Sequence, residues 1–445
     1  MPNASSDLAS PSPSATGALS QLAGEFGCTA YLAGAGGCGM RGLATLLLQA
    51  GWQVFGADQN NFQADDPLVA AGMQALAETD QPPEVSLCIR SAAISKKEVA
   101  IQKAIQQGAR SLLYSEMLGE ISKLRPVLAV AGSHGKTTIT AWLAWALRRA
   151  GVPVGYLVGA EVPQLKGSAD WGNPDLPLIV ESCEYARSFH HLWPAMVALI
   201  NVDAEHPDTY PGGLAEVTQA FRHFLSHVRD SGKVFAGPEA PDLSSSGPGH
   251  WLRSMELGPQ EYVGLPGVHN RSNAALVAKV LRHFGLGELA VQSSLGEFEG
   301  AARRLERIGL WHGATVVTDY AHHPVEVQAT LQAAKERWPD RKLHVVFQPH
   351  QAQRFHAYRD QFAPALDLAD ALYLLEIYRA RDPQQLQASV EELVPDLVQR
   401  RPKRYLKLVA DFAIGQSLLQ ENVEPEDVIL FLGAGNVDRF ARCLC

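Results

Sequence analysis

One segment constrains this chain more than any other: Gly132-Ser-His-Gly-Lys-Thr-Thr138, set directly behind the apolar run Pro126-Val-Leu-Ala-Val-Ala131 and ahead of a helix-forming stretch to about Ala150. A buried strand that ends in glycine and restarts as a helix points several backbone N–H groups at one spot, and the helix start adds positive potential there. Glycine lets those amides come close to phosphate oxygens. Lys136 can reach the terminal phosphates of a nucleoside triphosphate, and Thr137 can place its hydroxyl on magnesium. The spacing departs from the usual G-x-x-x-x-G-K-[ST] loop because Val130 stands where a glycine is expected. A glycine turn with an exposed lysine is the plain alternative, and the strand–loop–helix context argues against it.

Short apolar runs alternate with longer amphipathic stretches, the pattern of parallel strands joined by crossover helices. The pattern restarts three times, at Cys28-Thr-Ala-Tyr-Leu-Ala33, at Pro126 and near Thr315–Asp319, with boundaries expected near Arg125-Pro126 and Ala301-Ala302. Further strands are expected at Gln53–Asp58, Leu178–Glu181, Ala195–Val202, Leu343–Phe347, Leu372–Glu376 and Val428–Leu432, with a helix over Val325–Trp338. Glu181 ends a strand where a parallel sheet exposes its ligand-facing edge, so it can approach magnesium; Glu184 is a weaker candidate, and His206 falls at the same edge. The first block carries a second glycine loop, Gly34-Ala-Gly-Gly-Cys-Gly39, with Asp58 at the offset of a ribose-binding acid. Alone it signals a nucleotide or dinucleotide diphosphate, which leaves a nucleotide-dependent oxidoreductase open.

With 38 basic against 47 acidic residues the chain lacks the excess of positive charge that a nucleic-acid binder needs. Six dispersed cysteines make no disulfide framework and fit a reducing cytoplasm. Cys443 and Cys445 read as part of a free C-terminal tail. Met1–Ser20, rich in Ser, Ala and Pro, reads as disordered, with the first domain starting near residue 26. No apolar run approaches the roughly 18 residues of a membrane span.

With both glycine loops in view, the sequence resembles the Mur ligase family of peptidoglycan synthesis. The resemblance runs in order over roughly residues 28–440. It is carried by Gly34 to Ala44, Gly132–Thr138, Glu181-Ser-Cys-Glu-Tyr185, Asn201-Val-Asp-Ala-Glu-His206, Gly267-Val-His-Asn270 with Asn273, Arg303-Arg304-Leu-Glu306, Asp319-Tyr-Ala-His-His-Pro324, and Phe347-Gln-Pro-His350 with Arg354. Gln351, Gln353 and Asn436 depart from the family pattern.

The resemblance implies three α/β domains closing over the reactants: a Rossmann-like UDP-sugar domain (26–125), a central ATPase-type domain with a parallel or mixed sheet (126–301), and a Rossmann-like C-terminal domain for the amino acid (302–445). The activity implied is ATP-dependent amide formation between L-alanine and the lactyl carboxylate of UDP-N-acetylmuramate, by a monomer or weak homodimer that needs Mg2+. Gly34, Gly36, Gly37, Gly39, Met40, Asp58 and Ser91 would hold the UDP-sugar. Gly132, Ser133, His134, Gly135, Lys136, Thr137, Thr138, His269, Asn270 and Asn273 would hold ATP, with Thr137, Glu181 and His206 on the metal. Tyr320, His322, His350 and Arg354 would line the amino-acid pocket, Arg354 as a bidentate partner of its carboxylate. His206 or His323 would take the amine proton. A tripeptide-recycling ligase of the same family and a binding scaffold without catalysis are the alternatives.

Overall fold

The computed structural model describes residues 16–445 apart from 166, 259–260, 381 and 383–385. Among these residues the strands form three sheets, one after another along the chain. The first contains β1 (Thr29–Ala33), β2 (Gln53–Ala57), β3 (Gln74–Leu76), β4 (Leu87–Arg90) and β5 (Arg110–Leu113), all parallel, in the order β3-β2-β1-β4-β5. The second contains β6 (Val127–Ala131), β7 (Gly155–Leu157), β8 (Ala169–Asp170), β9 (Leu178–Ser182), β10 (Met196–Leu199), β11 (Lys233–Ala236) and β12 (His250–Arg253), in the order β12-β11-β10-β6-β9-β7-β8; β8 runs antiparallel to β7 at one edge. The third contains β13 (Glu306–Trp311), β14 (Ala314–Asp319), β15 (Leu343–Phe347), β16 (Ala371–Leu375), β17 (Tyr405–Val409) and β18 (Val428–Leu432), in the order β13-β14-β18-β15-β16-β17, with β13 and β14 antiparallel.

These orders place both glycine loops. Strand order reverses at β1, between β2 and β4, and again at β6, between β9 and β10. At such a reversal the crossover helices diverge and leave a crevice at the carboxyl ends of the strands. All five residues of β6 are buried, as an interior parallel strand covered on both faces requires. The helix after it, Lys136–Arg149, buries nearly its whole length. Trp142 of that helix donates its Nε1–H to the Ser294 carbonyl at 2.8 Å.

The first two sheets share one apolar core, a single cluster that runs from Leu22 to Leu243. The helix Cys38–Gln49 lies against β7 and β8. A Cβ on Gly42 would sit 2.3 Å from Leu157 Cδ1, so a larger residue there would have to displace the leucine side chain. Trp171 donates its indole N–H to the Leu46 carbonyl at 2.5 Å, and the buried Arg125 guanidinium donates to the carbonyls of Trp171, Asn173 and Leu176. The third sheet has its own apolar clusters, one on each face.

Several expectations need correction. The expected tail to residue 25 is in part a helix, Thr16–Phe26, because Leu22 and Phe26 bury themselves under the first sheet; residues 1–15 lie outside the described residues. The C-terminus is a helix, Val437–Leu444, that buries Val437, Phe440 and Ala441. Strands β13 and β17 escape a periodicity reading because they are sheet edges with half-exposed patterns. Among the described residues no helix is long and apolar enough to cross a membrane.

Candidate active site

The phosphate loop turns on Gly135, whose φ of +85° and close neighbour Asn273 (Oδ1 3.0 Å from where a Cβ would stand) exclude other residues. Lys136 folds back over the loop. Its Nζ donates to the carbonyls of Gly132 at 2.7 Å and Ser133 at 3.1 Å, and to Glu184 Oε2 at 2.8 Å. Glu184 is therefore the counter-charge of Lys136 in this structure. Burial alone would raise the Glu184 carboxyl and lower the Lys136 ammonium. Their mutual attraction reverses both, so each is held in its charged form.

Thr137 donates its hydroxyl to Glu181 Oε2 at 3.1 Å, and the Gly159 N–H donates to Glu181 Oε1 at 2.5 Å. Burial pushes the Glu181 carboxyl up against the pull of Gly159, Arg304 and Lys136. A hydroxyl beside a buried carboxylate is a hard-oxygen donor pair of the kind magnesium takes, and the Arg304 guanidinium, 3.1 Å from Thr137 Oγ1, already brings positive charge to it. The third expected ligand, His206, is engaged differently. Its Nε2 lies 3.5 Å from Glu184 and 3.8 Å from Glu205, and its Nδ1 lies 3.5 Å from Arg354. Among the described residues no three His, Cys, Asp or Glu side chains form a cluster that could hold an ion by themselves.

The third domain closes the site from above. Arg354, 3% exposed, sits at the start of the helix Ala352–Ala365 and donates to Glu205 Oε2 at 3.2 Å and to Gln351 Oε1 at 3.1 Å. Burial would raise Glu205, but Arg354, His206 and His323 outweigh it and hold its carboxyl well below the usual range. The guanidinium expected to bind a substrate carboxylate is thus already paired with a protein carboxylate. Tyr358 donates to the Ala204 carbonyl at 3.1 Å, and His323 Nε2 stands 4.0 Å from Glu205. His134 of the phosphate loop faces Glu326 at 3.2 Å and Asp203 at 3.6 Å; these two carboxylates overcome its burial and push the imidazole up to about 10. His322 lies 3.3 Å from the same Glu326 and 2.9 Å from the Tyr320 carbonyl; burial drives it down to about 4. Tyr320 packs under Arg303 and Arg304, and His350 rests between the rings of His322 and Tyr378.

A cavity of about 260 Å³ opens beside the loop, between the second and third sheets. His134, Gly135, Thr138, His269, Asn270 and Asn273 line it, as does Arg304. Asn273 donates to Asn270 Oδ1 at 3.2 Å. Burial and the Arg304 charge hold His269 down at about 4. Ser133 is turned to Asp203, whose N–H it accepts at 2.8 Å.

At the end of β1, Gly36 donates its N–H to Asp58 Oδ2 at 3.0 Å, and Asn60 donates to Oδ1. Asp58 therefore braces its own loop as well as facing the cleft that Gly36, Arg41, Asn61 and Phe62 line. Gly34 and Gly37 close the turn through a 3.2 Å backbone bond; the Ser91 N–H donates to the Ala33 carbonyl beside it, and Gly39 lies under the Tyr114 ring. Met40 does not belong with them. It is 3% exposed and, in the first turn of the helix Cys38–Gln49, turns its side chain into the shared core.

Asp203, Glu205, Arg304 and Glu326 were not singled out in sequence, although all lie in or next to motifs that were. Glu326 had a readable signal: an acid two residues after Pro324 and three after His323 is a helix capping box.

A phosphate loop with a buried lysine, an adjoining carboxylate–hydroxyl pair and a third α/β domain bearing cationic residues over it defines a nucleotide-dependent ligase fold, and the chain belongs to the Mur ligase family. Residues 30–125 match the model of the Mur ligase family catalytic domain, and residues 303–435 that of the Mur ligase glutamate ligase domain. Among its relatives, the UDP-N-acetylmuramate–L-alanine ligase of Chloroflexus aggregans is 33% identical over 92% of this chain and 96% of its own length. The enzyme of the same name from Roseiflexus castenholzii is 31% identical over 91% and 94%. In fold, the chain is similar to the UDP-N-acetylmuramate–alanine ligase of Thermotoga maritima (TM-score 0.76, 23% identity, 94% of this chain and 98% of that one). It is also similar to a murein peptide ligase of Psychrobacter arcticus (TM-score 0.70, 22% identity, 94% and 98%).

Proposed function

We propose that this chain joins L-alanine to the lactyl carboxylate of UDP-N-acetylmuramate at the expense of ATP, which is split to ADP and phosphate. The observation that carries the reading is the charge arrangement at the loop: Lys136 and Glu184 below, the Thr137–Glu181 oxygen pair beside them, and Arg304 and Arg354 reaching in from the third domain. The relatives that match over nine-tenths of this chain bear the name of that reaction.

A carboxylate does not condense with an amine in water because oxide is too poor a leaving group. Transfer of the γ-phosphoryl group to a carboxylate oxygen releases ADP and leaves an acyl phosphate, a step that consists mostly of positioning and charge neutralisation. Lys136 and the loop amides hold the phosphates. Thr137 and Glu181 would hold magnesium, which would neutralise phosphate charge when bound. The amine then attacks the acyl carbon, its proton passes to His206 or His323, and the tetrahedral intermediate expels phosphate. Both histidines adjoin Glu205, which would stabilise the imidazolium formed. Sealing the acyl phosphate from water protects it, and the third domain over the loop supplies that cover. On this reading residues 26–125 hold the UDP-sugar in the Asp58 cleft, 126–301 hold ATP, and 302–445 hold the amino acid.

The test is ADP release by the pure protein, crossing UDP-N-acetylmuramate with L-alanine, glycine, L-serine and a tripeptide, with ATP and Mg2+. Release with L-alanine alone is expected. Preference for the tripeptide would move the assignment to a recycling ligase. Lys136→Ala should abolish release while leaving the fold intact, and near-normal release by that variant would contradict the scheme.

A further inference from the structure

One carboxylate of the third domain touches both halves of the site. Glu326 sits in the first turn of the helix Pro324–Arg337. Its Oε1 lies 3.2 Å from Nδ1 of His134, in the middle of the phosphate loop. Its Oε2 accepts the backbone N–H groups of His322 at 3.2 Å and His323 at 3.3 Å, and stands 3.3 Å from His322 Nδ1. On the loop side, His134 is anchored in turn: its N–H donates to Asn201 Oδ1 at 3.0 Å, and its ring lies 5.3 Å from that of His323. Any shift of the loop that moves His134 therefore pulls on the turn that carries both histidines.

We propose that Glu326 is a positioning residue: through His134 it couples the state of the phosphate loop to the placement of the His322–His323 turn, so that the amino-acid side of the site is set only when the loop is correctly formed around triphosphate. The inference rests on the ligase reading and adds to it. His134 needs no contact with the reacting atoms for this, since the link is an ion pair across the domain boundary. The arrangement has the features that make such a coupling effective. The carboxylate is sheltered, both its oxygens are used, and its two sets of partners belong to different domains. Its role as a helix cap needs only an oxygen acceptor, whereas its role as a link needs the charge. Glu326→Gln keeps the first and removes the second.

The variants are Glu326→Gln, His134→Gln and the double variant. With ATP saturating for each, Glu326→Gln should lower kcat by at least about tenfold, a fraction of the roughly hundredfold loss that misplacement of a reacting group by ~1 Å can bring, while the KM for ATP moves much less. The double variant should be no more than about twofold worse than the poorer single one, because both remove the same link. Hydrogen exchange gives a reading independent of turnover. Saturating ATP should protect the amides of residues 320–326 in the native chain, and this protection should be lost in both single variants although calorimetry shows nucleotide bound. Multiplicative losses in the double variant, a kcat within twofold of native for Glu326→Gln, or unchanged protection in His134→Gln would overturn the proposal. If the native chain releases no ADP with any acid and amine, the ligase reading fails, and hydrogen exchange alone then decides the coupling.

Discussion

Replacing Glu184 by glutamine should separate the two roles of Lys136. The pair is largely withdrawn from water, with the lysine side chain 14% and the glutamate 1% exposed, and in the variant the lysine keeps only neutral acceptors, the Gly132 and Ser133 carbonyls and the new amide oxygen. Removing one charge of a buried pair leaves the other uncompensated, at a cost of about 3–5 kcal/mol, and the remaining neutral acceptors argue for the lower end. At roughly 2–4 °C per kcal/mol for a folding unit of this size, the ligand-free variant should melt about 6–12 °C below the native chain. ATP restores negative charge at Nζ, so the deficit should shrink to about 1 kcal/mol with nucleotide bound. Thermodynamic linkage turns that recovered ~2 kcal/mol into roughly 30-fold tighter ATP binding by the variant. Thermal melts and calorimetry with and without ATP and Mg2+ measure both quantities. A ligand-free melting point within 2 °C of native, or a deficit that ATP does not reduce, would refute the reasoning.

Other perturbations have equally definite outcomes. Gly135→Ala forces a Cβ toward Asn273 at positive φ and should cost more than about 1 kcal/mol in urea unfolding, with weaker ATP binding in the same preparation. The raised His134 contributes stability that is complete below its unfolded pKa and lost as pH rises toward about 10; in His134→Gln the alkaline decline of the melting temperature should flatten. Glu205, held low in the folded chain, contributes stability that is complete above the unfolded carboxylate pKa and lost as pH falls below it. Glu205→Gln should destabilise the chain at neutral pH, since Arg354 is left unpaired, yet lose less further stability between about pH 5 and pH 3.

The two glycine loops and the strands before them were legible because interior parallel strands read as unbroken apolar runs and the loops carry their own chemistry. The edge strands were not, since β13 and β17 are half exposed and their patterns blur. Residue chemistry was legible only as far as spacing could carry it. Glu184 and Glu205 are separated in sequence from Lys136 and Arg354, and nothing local says that a carboxylate will be buried against a particular cation. Met40 shows the converse error, because a glycine motif marks a loop but not the turn of helix at which side chains begin to face inward. The metal set was legible only as a shared sheet edge for Thr137, Glu181 and His206; that the histidine would lie 3.5 Å from Glu184 could not be read from spacing.

The seam between the first two sheets bears on how the molecule comes apart. Because Gly42 rests on Leu157 and Trp171 reaches into the helix of its neighbour, the boundary at Arg125 divides the sequence without dividing the hydrophobic interior. Calorimetry should record the stretch from Leu22 to Ala301 melting as one body, since the other face of the second sheet packs on the helices up to that residue. A fragment ended at Arg125 should be insoluble, its exposed helix seeking the surface it was built against.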